Sequence, residues 1–216
     1  MSRAAFARTS PDAPVPQTDS LPSLRDAARN CQACDLFRRA TQTVFGEGSE
    51  HARVVVVGEQ PGDQEDRQGR PFVGPAGKLL TRALAAAEIH PSEIFVTNAV
   101  KHFKFEERGK RRIHQKPNTT EINACRPWLA AEIASVKPEL ILCLGSTAAQ
   151  SVLSRKVGIG EHRAKFMPHP WAKYVFITTH PSAILRVPPE DREREYDRFV
   201  RDLKIVGAWL RGEHAA

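Results

Sequence analysis

Four cysteines in a chain of 216 residues have a spacing typical of a metal site. Cys31 and Cys34 form a Cys-x-x-Cys pair, whereas Cys125 and Cys143 stand alone further along the chain. Four cysteines are too few for a disulfide scaffold, and the first residues include arginines but no apolar export segment, so we expect free thiols in a reducing compartment. Four thiolates suit either an iron–sulfur cubane or a zinc ion, and Cys143 alone could be an ordinary core cysteine.

A basic segment with a histidine inside it could bind a polyanion and carry nucleophilic chemistry. Residues 101–116 hold seven basic and two acidic side chains, and so carry +5 of the chain's formal charge of +7. Such a concentration of charge is expected where a protein meets nucleic-acid phosphates. His114 lies among these cations, which disfavour the imidazolium, so its ring should be neutral and able to act as a nucleophile or base. The alternative is a solvated charged loop with an incidental histidine.

Polar side chains also follow three apolar segments that are predicted as strands. Glu59 and Gln60 follow the first segment, Asn98 lies at the end of the second, and His180 follows the fourth. Because the carboxyl ends of parallel strands meet at one edge of a sheet, we expect these four side chains in one cleft.

The elements that would position these residues alternate along the chain. The predicted strands are Arg53–Gly58, Ile94–Ala99, Leu140–Gly145 and Tyr174–Thr179. Segments this apolar are typical of strands buried on both faces of a parallel sheet. Helices are predicted after Pro22 and over Ala76–Ile89, Thr119–Val136, Ser146–Leu153 and Glu190–Leu210. The predicted fold class is α/β, a three-layer α/β/α sandwich around a central, mostly parallel four-stranded sheet.

Three further patterns limit the organisation of the chain. Residues 1–20 are rich in proline and poor in core formers, so we predict a disordered tail there and a single domain over residues 21–212. The longest aliphatic run is Val54–Val57, too short for a membrane span. The glycine-rich segment Val73–Leu79 lacks the spacing and the hydroxyl of a P-loop, which argues against an NTPase.

Four ordered motifs resemble those of the iron–sulfur, family 4 type uracil-DNA glycosylases, a resemblance that extends from Cys31 to about Leu203. They are Gly58–Gly62 with Arg70–Gly77, Thr97–Lys101, His180–Arg186 and the cysteine spacing. Gln60 stands where that family usually has alanine, and Lys110–His114 belong to an insertion that its ordinary members lack. Both departures resemble the UdgX-type branch, whose members excise uracil and become covalently attached to DNA through a loop histidine.

The resemblance implies a mechanism for a uracil that is single-stranded or flipped from a duplex. Phe72 would stack on the base, and Asn98 would read its edge. His180 would stabilise the departing uracil anion. Glu59 would stabilise the sugar cation, or polarise water or His114, and His114 would capture the sugar.

The resemblance also implies sets of functional residues. The implied catalytic set is His114, Glu59, Gln60 and His180, and the substrate-binding set is Phe72, Asn98 and Gly58. The implied DNA-binding set is Lys101, Lys110, Arg111, Arg112 and Ser182. The implied ligands of a 4Fe–4S cluster are Cys31, Cys34, Cys125 and Cys143.

Two other functions remain open from the sequence. One is a conventional family 4 glycosylase that turns over and releases an abasic site. The other is a non-catalytic iron–sulfur module that binds nucleic acid, which would leave Phe72, Asn98 and His180 without a role. In each case the expected partner is DNA, containing uracil for the two enzymes, and we expect a cytoplasmic, prokaryotic monomer without membrane contact.

Overall fold

Six strands form one sheet through the centre of the molecule. The computed structural model describes residues 13–213. The strands are Glu47–Gly48 (β1), Val54–Gly58 (β2), Ile94–Asn98 (β3), Phe105–Arg108 (β4), Arg111–His114 (β5), Leu140–Leu144 (β6), Phe166–His169 (β7) and Ala172–Thr178 (β8). The sheet order is β1-β3-β2-β6-β8-β7, with a parallel centre of β3, β2, β6 and β8 and antiparallel edge strands. β4 and β5 form a separate hairpin outside this sheet.

Eight α-helices within the described residues cover the sheet. They are Leu21–Ala28 (α1), Asp63–Gln68 (α2), Pro75–Ala86 (α3), Thr119–Val136 (α4), Gly145–Leu153 (α5), Ile159–His162 (α6), Pro181–Arg186 (α7) and Pro189–Leu210 (α8). Helix α4 begins at a capping box in which Asn118 accepts from the Glu121 N–H and Glu121 accepts from the Asn118 N–H. This reciprocal pair satisfies two of the amide donors that a helix start leaves free.

The core has two layers, one on each face of the sheet. Val55 and Val57 pack towards α1, α4 and α5, whereas Val54 and Val56 pack towards α3, α7 and α8. Every residue of β2 and β6 is buried, because helices cover both faces of these central strands. The sheet is therefore a rigid base whose carboxyl edge can hold side chains at fixed positions.

The predicted α/β sandwich is confirmed, and α4 has the predicted bounds. The two edge strands and the hairpin were not predicted, because β1 is two residues long, β7 contains Pro168, and β4–β5 is charged rather than apolar. Within the predicted disordered tail, Ala13 is buried in the core and Ser20 caps α1, while residues 1–12 lie outside the described part of the chain. None of the helices in residues 13–213 is long and apolar enough to span a membrane.

Candidate active site

A cleft of about 680 Å³ opens at the carboxyl edge of the sheet. The ends of β2, β3 and β8 bring Glu59, Asn98 and His180 to it, as the parallel arrangement predicted. The loop before α3 adds Phe72, and the hairpin adds His114. Side chains that are up to 121 positions apart in the sequence therefore face one space.

The floor of the cleft offers a flat ring beside an amide. A Cβ at Gly58 would lie 2.3 Å from Asn98 Oδ1 and 2.7 Å from Phe72 Cζ, so glycine is required for their close approach. Phe72 has a left-handed φ of 57°, and its carbonyl would lie only 1.8 Å from a Cβ at Gly77. The Asn98 amide has no hydrogen bond to another described residue, so both its donor and its acceptor are available to a ligand.

Glu59 contacts two different groups with its two carboxylate oxygens. The Thr147 hydroxyl donates a short hydrogen bond to Oε2, and His114 Nε2 lies 3.4 Å from Oε1. The burial of His114 lowers its pKa below the ordinary value, the charge of Arg186 lowers it further, and Glu59 opposes both effects. At neutral pH the His114 imidazole is therefore uncharged and keeps a lone pair.

His180 is held as one tautomer by the first turn of α7. The Ser182 N–H donates to His180 Nδ1 at 3.1 Å, and the Ser182 hydroxyl lies 2.8 Å from the same atom. Burial lowers the pKa of His180 to about 4, with Arg186 and His114 adding to the effect. Because a backbone N–H can only donate, Nδ1 carries the lone pair, and the neutral ring presents an Nε2–H donor.

Gln60 holds the hairpin that carries His114. Its amide nitrogen donates to the carbonyls of Lys104 and Gln115 at 3.1 and 3.0 Å, and its oxygen accepts from the Lys104 N–H at 3.1 Å. Both amide hydrogens and the oxygen are therefore bound to the two residues that flank the strands of the hairpin. Gln60 thus attaches the hairpin to the loop after β2, and the catalytic role predicted for it stays a prediction.

Arg112 is the second attachment of the hairpin. Its guanidinium forms ion pairs with Asp63 and Asp66 of α2 and lies over the rings of Phe103 and Phe105. The Arg112 side chain is only 15% exposed. The donors of Arg112 therefore bind the protein itself in this structure, and the DNA contact predicted for it stays a prediction.

The DNA contact predicted for Lys101 does not fit its position, because the residue is fully buried. Its Nζ lies 2.6 Å from Glu132 Oε2 and donates to Thr97 Oγ1 and to the Asn98 carbonyl, both at 2.7 Å. Lys101 consequently fixes the end of β3, which carries the Asn98 amide.

The other predicted DNA contacts differ in exposure. Lys110 and Arg111 are exposed near the tip of the hairpin, beside the left-handed Gly109. Ser182 lines the cleft, but its hydroxyl is occupied by His180 Nδ1. Lys110 and Arg111 are therefore accessible to a phosphate.

Three of the four thiols share one neighbourhood. Cys31 and Cys34 each raise the pKa of Cys125, and burial, the larger cause, brings that pKa to about 12. The Trp128 indole N–H donates to Cys31 Sγ at 3.1 Å, and the Lys101 backbone N–H donates to Cys125 Sγ at 3.2 Å. Sulfurs that already accept N–H donors fit the thiolate ligands of a metal cluster.

The structure does not bring Cys143 to the other three thiols. Cys143 is the fourth of the five residues of β6, paired in register with Val57 and Ile177, and burial alone raises its pKa. Within residues 13–213, no three potential metal ligands converge closely enough to hold an ion as their side chains stand.

A buried histidine follows the residue whose backbone binds Cys125. His102 follows Lys101, whose N–H binds Cys125, and its Nε2 lies 3.1 Å from Thr43 Oγ1. The Thr43 hydroxyl donates to the carbonyl of Ala28, which also accepts from the Cys31 N–H. His102 is therefore linked through Thr43 to the segment that carries Cys31, and through its neighbour Lys101 to Cys125.

Two positioning residues were missed from the sequence. Thr147 holds Glu59, as described, and Glu65 accepts from the N–H groups of Gly62 and Gly74, which joins the loop after β2 to the loop before α3. Both are polar residues inside helices, where a side chain facing a site looks like any polar helix face. The start of α5 directly after β6 was the signal that could have identified Thr147.

Comparisons with known proteins agree with this geometry. Residues 45–204 match the family model described as the uracil DNA glycosylase superfamily. The type-4 uracil-DNA glycosylase of Saccharolobus solfataricus is 37% identical over 190 residues, which cover 83% of each chain. The type-4 enzyme of Pyrobaculum aerophilum is 36% identical over 78% of this chain and 86% of its own, and that of Thermotoga maritima is 35% identical over 87% and 93%.

Proposed function

The chain belongs to the uracil-DNA glycosylase superfamily, and from that premise we propose that it excises uracil from DNA and then bonds to the abasic sugar through His114. The observation that carries the proposal is the cleft itself. A ring for stacking, a free amide, a carboxylate and two neutral imidazoles face one space there. The type-4 relatives support the excision step, and the hairpin supports the capture step.

The floor of the cleft accounts for base recognition. A uracil must leave the duplex, or be single-stranded, to reach a cleft of this kind. Stacking on Phe72 would contribute roughly 1–3 kcal/mol. The Asn98 amide can donate to a uracil carbonyl and accept from N3–H, whereas cytosine presents an acceptor and an amino donor at these positions.

Cleavage of the glycosidic bond separates charge across the cleft. The bond's electron pair leaves with the uracil, and the sugar becomes an oxocarbenium-like cation. The Nε2–H of neutral His180 would donate to a uracil oxygen as negative charge develops there. The carboxylate of Glu59 would stabilise the cation, because its Oε1 faces the cleft beside His114.

Capture by His114 is balanced in atoms and protons. The lone pair of one imidazole nitrogen forms a bond to C1′ of the sugar, in place of the bond lost to uracil. The ring proton is then released through the carboxylate or solvent, and the uracil anion takes up one proton. The net products are a histidine–sugar bond and neutral uracil.

Hydrolysis is the second candidate function, and the type-4 relatives favour it. If water reaches the sugar cation before His114 does, an abasic site is released and the enzyme turns over. The 3.4 Å contact between His114 and Glu59 and the two attachments of the hairpin favour capture, since they hold the imidazole at the cleft.

One experiment separates these functions. The protein is incubated with a labelled single-stranded oligonucleotide containing one uracil, and free uracil and a heat-resistant shifted band are measured together. We expect both, and neither with a matched thymine oligonucleotide. Uracil release without the band would indicate a turnover enzyme, and DNA binding without release would indicate a non-catalytic module.

We further propose a 4Fe–4S cluster held by Cys31, Cys34 and Cys125, with His102 rather than Cys143 as the fourth ligand. The N–H donors at Cys31 and Cys125 and the link from His102 to both ligand segments support this set. Such a cluster would tie α1, α4 and the segment after β3 together, which is a contribution to folding.

Iron content tests the ligand set without reference to activity. Cys143→Ser should retain the iron and the visible absorption of the parent protein, whereas His102→Gln and Cys125→Ser should lower both. Loss of iron in Cys143→Ser with retention in His102→Gln would contradict the set. A folded, colourless parent protein, purified under anaerobic conditions, would contradict the cluster.

A further inference from the structure

Glu59 can keep one carboxylate oxygen facing the His114 ring only if the carboxylate holds one orientation. The carboxylate group rotates about a soft terminal torsion, so packing alone fixes it weakly. One oxygen faces His114 at 3.4 Å, and the other accepts from the Thr147 hydroxyl. Among the described residues, the Thr147 hydroxyl is the sole side-chain hydrogen-bond donor recorded on the Glu59 carboxylate.

Thr147 itself is buried beside the sheet. It is 1% exposed and lies in the first turn of α5, which starts immediately after β6. A carboxylate can only accept, so the Thr147 hydroxyl must donate, and burial together with the β-branched side chain leaves this hydroxyl few rotamers. The orientation of Glu59 is thereby set from the rigid sheet rather than from the hairpin.

His114 lacks an equivalent support. Its side chain is 42% exposed, and its ring contacts Glu59 and, with centroids 6.2 Å apart, Phe103. If Glu59 turned away, the imidazole could move towards solvent and water could occupy its place next to the sugar. A hydrogen bond that keeps Glu59 in place would therefore also favour the imidazole over water next to the sugar.

We propose that Thr147 is a positioning residue that sets the partition of the sugar cation between His114 and water, by fixing Glu59 so that one carboxylate oxygen faces the imidazole. This inference rests on the proposed function, since it concerns the second step of that reaction. In the proposed reaction Thr147 contacts neither the uracil nor the sugar, and it acts only through Glu59.

The test measures the partition rather than the rate. For each variant, heat-resistant adduct and free uracil are quantified in the same reaction with the single-stranded uracil oligonucleotide, and the adduct per uracil released is compared. Thr147→Val keeps the side-chain shape and removes the donor, and we expect this ratio to fall by roughly ten- to a hundredfold, as for other misplaced catalytic groups. Thr147→Ser restores a hydroxyl and should restore most of the ratio.

A matched control lies in the same helix. The Ser151 hydroxyl is buried in α5 and has no hydrogen-bond partner within the described residues, so Ser151→Ala removes a buried hydroxyl without touching Glu59. Its ratio should equal that of the parent protein. Melting temperatures of all three variants separate a folding defect from a change in partition, because a merely structural role would lower stability without changing the ratio.

The outcomes distinguish this inference from the function on which it rests. An unchanged adduct ratio in Thr147→Val, with the parent protein still forming adduct, would overturn the role of Thr147 alone. Failure of Thr147→Ser to recover the ratio would also overturn it, since the hydroxyl would then not be the determining group. If the parent protein releases no uracil, the proposed function fails first.

Discussion

The floor of the cleft and the hairpin above it are built in opposite ways. Asn98 and His180 lie at strand ends, are buried or nearly so, and are fixed by backbone groups and by the fully buried Lys101. The hairpin is charged and largely exposed, and it is attached to the domain through the Gln60 amide and the Arg112 ion pairs. In the proposed mechanism, the floor holds the groups for excision, and the hairpin holds the group for capture.

This difference implies that the two steps can be separated. A substitution in the floor should damage base recognition and therefore both products. A substitution in the hairpin should change the fate of the sugar while leaving cleavage intact.

The largest effect is expected in the floor. Asn98→Asp replaces the amide donor by an acceptor that opposes a uracil carbonyl, and a site built around such a hydrogen bond loses about 10⁴-fold or more when the partner is wrong. Uracil release and adduct should fall together, as measured by single-turnover assays. An unchanged melting temperature serves as the control, and near-normal excision would show that another group reads the base.

A comparable change in the hairpin should affect one product only. His114→Ser removes the imidazole and leaves space for water, so the adduct should disappear while uracil release stays within about tenfold of the parent protein and becomes multiple-turnover. Loss of both products would place His114 before bond cleavage, as an acid or base. Persistence of the adduct would place the attachment elsewhere.

Arg111 and Arg112 are neighbours in the hairpin, and a comparison of the two tests how the hairpin is attached to the domain. Arg112→Ala breaks the ion pairs to α2 and should lower the adduct per uracil released by roughly tenfold, because the imidazole is no longer held at the cleft. Arg111→Ala should leave this ratio unchanged and reduce the slope of log affinity against log salt concentration by about 0.7 for single-stranded DNA. The opposite assignment of the two effects would contradict the buried placement of Arg112.

A last prediction concerns acid stability rather than the two products. His180 has an ordinary pKa near 6.5 when unfolded and about 4 when folded, so the unfolded state binds more protons between these values. The free energy of unfolding should therefore fall as the pH drops from 6.5 to 4, by up to about 3 kcal/mol. His180→Asn should flatten this part of the pH profile in thermal melts, and an unaltered slope would mean that His180 does not titrate as its burial requires.

Strand ends were predictable from the sequence, whereas side-chain partners were not. The apolar runs located β2 and β3, and with them Glu59 and Asn98, because buried parallel strands leave a strong local pattern. The hairpin was predicted only as a basic segment, so Arg112 and Lys101 were expected to contact DNA when they bind Asp63 and Glu132 instead. The sequence shows which residues are charged, but the partners of those charges depend on tertiary contacts.

The cysteines show the same limit. Four thiols in a sequence indicate a common site, but spacing cannot reveal that Cys143 lies in the centre of the sheet. Thr147 was missed for the related reason that a helical pattern does not record which polar face meets a carboxylate. Elements follow from periodicity, whereas pairs of polar side chains depend on how the elements pack.

Residue-level mapping of the adduct tests directly whether His114 forms the bond to the sugar. The parent protein is reacted with a uracil-containing single-stranded oligonucleotide, digested with a protease and a nuclease, and analysed by tandem mass spectrometry. We predict one modified peptide, with the sugar on the His114 ring and an unmodified His180. A sugar on any other side chain, or a reaction that releases uracil and yields no modified peptide, would contradict the division of labour between the floor and the hairpin.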